Sequence, residues 1–524
     1  MNPKKSVRLA AWILKHLSFG PVGESLCGDL LEEFEAGRSS MWLWRPIVIG
    51  RVKKAIQTLF LALSVFSSAQ VQSADTPARE QFRQWLAAFN GDDREAYRQY
   101  LQKSFPSGVG RVDQDWRVRA NSGGFEAKKL SDDGETKVTA QMQERDSEMF
   151  GQVTLEVEAA APHRIVKMEM RPIGHPAEFT VPHMSDAELI AALRKRVDES
   201  AAADKFAGAV LIVKDGKPIF TEAYGLADRE RKIRNTVKTR FRIGSMNKMF
   251  TAVAILQLVQ AGKLGLNDPL GKYLTDYPNK DLASKVTISE LLSHTGGTGD
   301  FFGPEFDKHR LELKTHEDYV KLYGSRPVRF EPGSRFEYSN YGFLLLGNVI
   351  EKVSGQSYYD YVQEHIYKPA GMTSTGSEPE GQAVSDLSVG YTKRETDKWH
   401  PNTDFLPYRG TSAGGGYTTV GDLVAFANAL RGNKLLNPYC TSLLTTGKVA
   451  MPGGYAHYAY GFEEMIVNGS KCVGHGGGSP GMNGELEMCL DSRYVVVALA
   501  NLDPPAAMRV ADFVTYRLPA QESK

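Results

Sequence analysis

Residues 246–261, MNKMFTAVAILQLVQA, contain one charged side chain, Lys248, and no Pro or Gly before Gly262. A run of that composition predicts a helix that is apolar nearly all round, so it belongs inside a sizeable domain rather than on its surface. Burying the helix buries Lys248 with it, and an ammonium taken out of water gives up its proton more easily. Ser245 stands just ahead of the helix, after Gly244, and one turn from Lys248 on the same face. A serine hydroxyl is a weak nucleophile at neutral pH and needs both a base and donors for a developing oxyanion. The helix N-terminus favours an anion there too. Alone, Ser-x-x-Lys is equally the pattern of a helix cap followed by a solvated lysine.

Two further patches complete a constellation. Tyr338-Ser339-Asn340 follows the turn signal Glu331-Pro332-Gly333-Ser334 and precedes an apolar run at 341–350, which places it on a loop leading into a helix. A phenol beside a lysine shifts toward phenoxide and becomes a base for the serine proton. Asn340, both donor and acceptor, suits a substrate amide or the Lys248 amine. The plainer reading of Tyr338, one of 22 tyrosines, is a half-buried ring with a satisfied hydroxyl. Residues 471–475 read as a strand entering the glycine-rich run 476–481, with a second strand at 485–490. Backbone N–H groups of that run, with that of Ser245, can form an oxyanion hole. The plainer reading here is a hairpin with a surface His475.

Taken in order, Ser-x-x-Lys, Tyr-x-Asn and His-x-Gly resemble the serine hydrolases of the beta-lactamase and penicillin-binding-protein superfamily, in the branch of class C beta-lactamases, D-aminopeptidases, DD-carboxypeptidases and related esterases. Leu291-Leu292-Ser293-His294-Thr295-Gly296-Gly297 is similar to that family's LLSHTSG segment, and residues 413–423 to the small-residue turn that opens its next helix. The resemblance runs from about Ser185 to about Leu518. It implies Ser245 as the acylated nucleophile, Lys248 and Tyr338 as the base pair, and Asn340, His475 and Gly477 as substrate-binding residues. Ser245 and Gly478 would supply the oxyanion N–H groups. Where penicillin-recognising members carry Lys-Thr-Gly, this chain has His475-Gly476-Gly477, so a permanent cation for a substrate carboxylate is missing. That departure points toward esterase-like and aminopeptidase-like chemistry. The expectation is hydrolysis of an ester or amide (a short ester, D-amino-acid peptide or beta-lactam-like substrate) through a Ser245 acyl-enzyme, with no cofactor. The competing reading is a non-catalytic sensor for cell-wall peptide or beta-lactam, which has no need of a base.

Other patterns lead nowhere. Gly410-Thr411-Ser412-Ala413-Gly414 fits G-x-S-x-G and His475-Gly476-Gly477-Gly478 fits an HGGG segment, but the order is the reverse of that in alpha/beta-hydrolases, and Ser412 follows a polar, Pro-broken stretch. The histidines show no H-E-x-x-H spacing and the cysteines no C-x-x-C, so no metal is expected. His294 reads as a loop-fixing residue.

At 524 residues the default is two folded units behind a leader. The fold class expected is α/β (α+β). Strands at 207–213 and 218–224 form a hairpin across Asp215-Gly216, and with 471–475, 485–490 and 494–501 they make one antiparallel sheet flanked by helices. The middle, about 245–447, forms a helical lobe with the site in the cleft between. This hydrolase domain is placed at 185–520. Residues 76–180 show helices at 78–89 and through 101, then strands at 125–130, 137–144, 150–159 and 164–171, and resemble the NTF2-like α+β fold. Residues 1–75 form the leader. Basic residues at 51–54 precede an apolar 55–69 that reads as an export signal or an uncleaved membrane anchor, behind a prefix whose true start is either Met1 or Met41. Location is thus expected to be periplasmic or extracellular, with a possible membrane tether. A net charge of +1 with no basic stripe disfavours nucleic acid, leaving a small-molecule or peptide substrate as the partner. Cys472 and Cys489 fall on neighbouring predicted strands; buried free thiols are preferred over a cross-strand bridge, and no disulfide framework is implied.

Overall fold

The fold was described from a computed structural model, which describes residues 75–396 and 398–520. The leader, including 55–69, Cys27 and Met41, lies outside the described residues. Among the described residues no helix is long and apolar enough to cross a membrane.

Eight antiparallel strands form the main sheet, in the order Val449–Ala450, Ala456–Tyr458, Glu463–Val467, Ser470–Ser479, Met482–Cys489, Tyr494–Ala500, Gly208–Lys214 and Lys217–Tyr224. The two ends of the hydrolase sequence thus share one sheet, as expected. Tyr494–Ala500 and Gly208–Lys214 read as continuous apolar runs because both of their faces are covered. Val495, Val497 and Leu499 point into the core around the Asn247–Gln260 helix, while Val496, Ala498 and Ala500 point to the helices Asp186–Ala202 and Ala506–Thr515. The Asn247–Gln260 helix is buried along nearly its whole length and packs against Asn340–Ser354 in the helical lobe. At its C-terminus, Gly262 adopts a left-handed conformation, φ +68°.

The Ser470–Ser479 strand runs further than the sequence suggests. Its glycines do not end it, because each is paired: Gly476 with Glu485, Gly477 with Gly484, Gly478 with Asn483. Register corrects a second expectation. Cys472 lies directly opposite Cys489 on the same face, with Cα atoms 3.9 Å apart, and the two form a disulfide rather than free thiols. Cys440 is a buried free cysteine.

Ahead of the sheet, helices Pro77–Asn90, Arg94–Ser104 and Val112–Ser122 cover a four-stranded antiparallel meander, Phe125–Asp132, Lys137–Glu144, Phe150–Val157 and Ile165–Ile173. Asp93 caps the second helix by accepting N–H bonds from Glu95 and Ala96. Alternation along Lys137–Glu144 turns Val138, Ala140 and Met142 inward onto Phe82, Trp85 and Phe89, which gives this unit its own core. It packs on the C-terminal part of the hydrolase unit through ion pairs, Arg509 of the last helix, Ala506–Thr515, with Glu144 at 3.5 Å and Arg517 just beyond that helix with Glu148 at 2.5 Å.

Candidate active site

Ser245 is held in a tight turn, Gly244–Met246, at the head of the buried helix. Gly244 has φ +51°, and a Cβ there would lie 2.9 Å from the amide nitrogen of Gly478. A Cβ on Gly477 would sit 1.9 Å from the Ile243 carbonyl oxygen. The strand therefore presses its backbone against the nucleophile turn at a distance only glycine allows. Beneath the turn, the 411–416 segment donates from Gly415 N–H to Gly244 O at 3.1 Å and accepts from Ile243 N–H at Gly416 O at 2.9 Å. Ser245 itself is partly exposed.

The Lys248 side chain is fully buried, with Nζ 3.1 Å from Ser245 Oγ, 2.7 Å from Asn340 Oδ1 and 2.6 Å from Ala413 O. Two of these partners accept only. A neutral amine has two N–H bonds and one lone pair; giving its N–H groups to Asn340 and Ala413 leaves the lone pair facing the serine hydroxyl. Burial lowers the Lys248 pKa from 10.5 to about 7, against the opposing pull of Asp300. Asp300 Oδ2 in turn accepts from Asn340 Nδ2 at 2.8 Å, which fixes the amide with its oxygen toward the lysine.

Tyr338 shares a hydrogen bond with Ser245, and its ring centroid lies 4.8 Å from Lys248 Nζ. The expected phenoxide is not favoured. Burial holds the phenol well above its ordinary value of 10, and the bond to Ser245 only partly offsets this. Burial thus favours a neutral amine on Lys248 near pH 7 beside a phenol that keeps its proton.

His294 fixes this loop. With φ 59°, it accepts the Ser339 N–H at Nδ1 at 3.1 Å, and its ring packs at a 37° tilt against Tyr338 with centroids 4.2 Å apart. Ser339 caps the following helix by accepting Gly342 N–H at 2.8 Å, so Asn340 opens that helix instead of lying in the loop. His475 is 2% exposed, with Nε2 3.0 Å from the Tyr458 hydroxyl and Nδ1 bonded to its neighbour's carbonyl, Gly476 O. Burial, with the Lys248 charge second, lowers its pKa to about 3, so the imidazole is neutral and both of its nitrogens are already engaged by the protein. Gly477 and Gly478 line the nucleophile turn as described.

Asp300, Ala413 and Tyr458 were not singled out from sequence. Asp300 directly follows Gly296-Gly297-Thr298-Gly299, and an acid ending a glycine-rich loop is the one local signal that marks it. A backbone carbonyl such as that of Ala413 leaves no signal. The rejected Ser412 turns out to be fully buried: its Oγ donates to Phe343 O at 2.9 Å and lies 3.0 Å from His316 Nε2, while His316 Nδ1 lies 3.1 Å from Glu351 Oε1. This serine, histidine and glutamate set has no access to substrate and anchors the loop carrying Ala413. Among the described residues no group of His, Cys, Asp and Glu could hold a metal ion.

Comparison with known proteins accords with this geometry. The beta-lactamase family model matches residues 193–521. PbpX of Bacillus subtilis strain 168 is 31% identical over 320 residues, covering 60% of this chain and 76% of the relative. The crystal structure of a penicillin binding protein from Bacillus halodurans aligns with a TM-score of 0.55 at 33% identity, over 60% of this chain and 97% of that one. A D-stereospecific amidohydrolase from Streptomyces sp. aligns with a TM-score of 0.54 at 27% identity, over 63% and 98%. With a serine, a buried lysine, a tyrosine and a glycine-rich strand converging at the lobe boundary, this chain is a hydrolase of the beta-lactamase family.

Proposed function

We propose that the chain is a serine hydrolase that cleaves an ester or D-amino-acid amide through a Ser245 acyl-enzyme. One observation carries the reading: the Lys248 amine, fully buried and tied to two acceptors, presents its remaining site to Ser245 Oγ at 3.1 Å. In this mechanism neutral Lys248 takes the Ser245 proton as Oγ attacks the carbonyl carbon. The N–H groups of Ser245 and Gly478 hold the oxyanion. The tetrahedral intermediate collapses by breaking the bond to the leaving group, which takes a proton from Tyr338; Tyr338 is reprotonated from Lys248. Water then attacks the acyl-enzyme by the same proton route, releasing acid and freeing Ser245.

The neutral, buried His475 argues for a substrate without a carboxylate beside the scissile bond, hence against beta-lactams. Phe302, 58% exposed and two residues from Asp300, offers an apolar surface for an acyl or side-chain group. The Cys472–Cys489 disulfide supports an exported protein. The helices and meander of residues 77–173 fit the NTF2-like reading of the small unit. A fluorophosphonate should label the wild type and fail on Ser245→Ala, and the wild type should turn over p-nitrophenyl butyrate and D-alanine amide faster than nitrocefin. Labelling without turnover of any substrate would favour the sensor reading instead.

A further inference from the structure

Three consecutive carbonyls of the 411–413 loop are each received by one side chain of the buried Asn247–Gln260 helix. Asn247 Nδ2 donates to Thr411 O at 3.0 Å, Thr251 Oγ1 to Ser412 O at 2.7 Å and Lys248 Nζ to Ala413 O at 2.6 Å. The three side chains share one face, because Thr251 lies one turn beyond the other two. All are buried, Asn247 at 2% exposure and Lys248 and Thr251 at 0%. A helical threonine hydroxyl ordinarily bonds back to the carbonyl four residues earlier. Here that contact, Thr251 to Asn247 O, is 3.3 Å, so the single hydroxyl proton goes to the nearer Ser412 O. Thr251 Oγ1 is then free to accept, and the Tyr358 hydroxyl donates to it at 2.8 Å. Burial keeps the Tyr358 phenol protonated, as that donation requires. The other polar atom of the Ser412–Ala413 peptide is tied too, since Ala413 N–H donates to Thr411 Oγ1 at 3.2 Å. Beyond Ala413 the chain runs Gly414-Gly415-Gly416, which brings no side chain to hold it.

We propose that Thr251 is a positioning residue for Lys248: with Asn247 it registers the 411–413 loop on the helix, so that the Ala413 carbonyl meets the lysine amine and the lone pair of that amine faces Ser245. The inference rests on the acyl-enzyme reading and adds what aims its base. A neutral amine has two N–H bonds to give. One goes to Asn340 Oδ1, on an amide fixed by Asp300, and the other to Ala413 O, on a loop that belongs to no helix or strand. If Ala413 O swings away, that N–H follows it or is left unpaired, and the amine turns off the serine hydroxyl 3.1 Å away. A displacement of about 1 Å there can cost about a hundredfold in rate. Losing an acceptor also disfavours the ammonium form, so the amine would release its proton at lower pH. Asp300, His294, Tyr338 and His475 are the titratable groups around Lys248. Among the described residues none of them bonds to Thr251, whose hydroxyl contacts are Asn247, Tyr358 and Ser412, so a change at Thr251 leaves their fields in place.

The test compares, in the full chain and with thermal melts, Thr251→Val, which keeps the shape and removes the hydroxyl, with Thr251→Ser, which keeps the hydroxyl. Thr251→Val should lower kcat on p-nitrophenyl butyrate about tenfold or more with KM within about twofold. The pH midpoint of its labelling by fluorophosphonate should fall by about half a unit or more, and Thr251→Ser should restore both. Wild-type kcat and midpoint in Thr251→Val would overturn the proposal. So would a Thr251→Ser as impaired as Thr251→Val, which would trace the loss to packing. Should Thr251→Val not fold, Tyr358→Phe removes the donor behind Thr251: it should lower the midpoint by a smaller amount, and an unmoved midpoint would overturn the proposal. The Lys248 midpoint can also be read without catalysis, by NMR of lysine carrying carbon-13 at Cε, with Lys248→Arg to assign the signal. An unlabelled wild type whose amine titrates near 7, and lower in Thr251→Val, would sink the acyl-enzyme reading and leave the positioning role standing. A labelled wild type whose midpoint is unmoved by Thr251→Val would sink the positioning role alone.

Discussion

The two faces of one sheet bury charge in opposite ways. On the helical-lobe side, Lys248 is surrounded by oriented partners, Asn340, Ala413 and Ser245, and Asn340 is itself held by Asp300. On the other face, Glu463 and Glu487 flank Gly474 in one register row, Glu485 lies two residues along, and Asp512 comes from the last helix. There Glu487 Oε2, Asp512 Oδ2 and Arg509 Nε are buried without hydrogen-bond partners. Burial lowers the lysine to about 7 and raises Glu463 and Asp512 to about 7, with Glu485 and Glu487 raised well above the usual carboxylate range by burial and by neighbouring acids, Glu463 and Asp512 beside both. Desolvation is the leading cause on both faces. Only the first has its dipoles arranged, as the base role proposed for Lys248 requires, whereas the acids are kept neutral at a cost in stability.

The comparison breaks first at the nucleophile. Ser245→Ala or Lys248→Ala should cut kcat/KM on a short ester by at least about 10⁴-fold, the scale of losing a nucleophile or its base. A loss below tenfold in either would remove the site from that face. Tyr338→Phe should cost about a hundredfold in kcat, more on an amide than on an activated nitrophenyl ester, because a protonated phenol matters most where the leaving group needs a proton. Equal losses would return Tyr338 to the role of base. His316→Gln, which disturbs the anchor under Ala413, should lower kcat about tenfold while keeping the labelling of Ser245. The smallest effect lies on the acid face. Carboxyls whose folded pKa is raised hold protons that the unfolded chain has released, so stability falls as pH rises from the unfolded value near 4.5 through about 7. Glu487→Gln should therefore raise stability at pH 8 by about 1 kcal/mol and leave it unchanged at pH 4, measured by urea titration. Equal gains at both pH values would show that charge is not the cause.

Much of the active-site face was legible in the sequence because its requirements are local. An unbroken apolar run announced the buried helix, and Ser245 and Lys248 lie one turn apart on it. Tyr338 and Asn340 sit between a turn signal and the next apolar run, and strands and helices at both ends pointed to a shared sheet. What stayed hidden depends on register and tertiary packing. The glycines at 476–478 read as a loop because their pairing with 483–485 is a long-range fact. The same register decides that Cys472 meets Cys489, where free thiols were expected. A lysine was expected to stabilise a phenoxide, but the balance depends on how deeply each group lies and on an Asp300 contact no motif encodes. That the last helix packs on the strand carrying Glu485 and Glu487 is likewise a fact of tertiary packing.

The claim that a neutral Lys248 amine activates Ser245 is tested most directly by the rate of fluorophosphonate labelling of Ser245 as a function of pH. Because the amine must lose its proton to serve, the rate should rise with pH through an apparent pKa near 7, and Asp300→Asn should move that midpoint lower by removing the charge that holds the proton on. A rate that is flat from pH 5 to 9, or that climbs only near the ordinary pKa of a phenol, would contradict it.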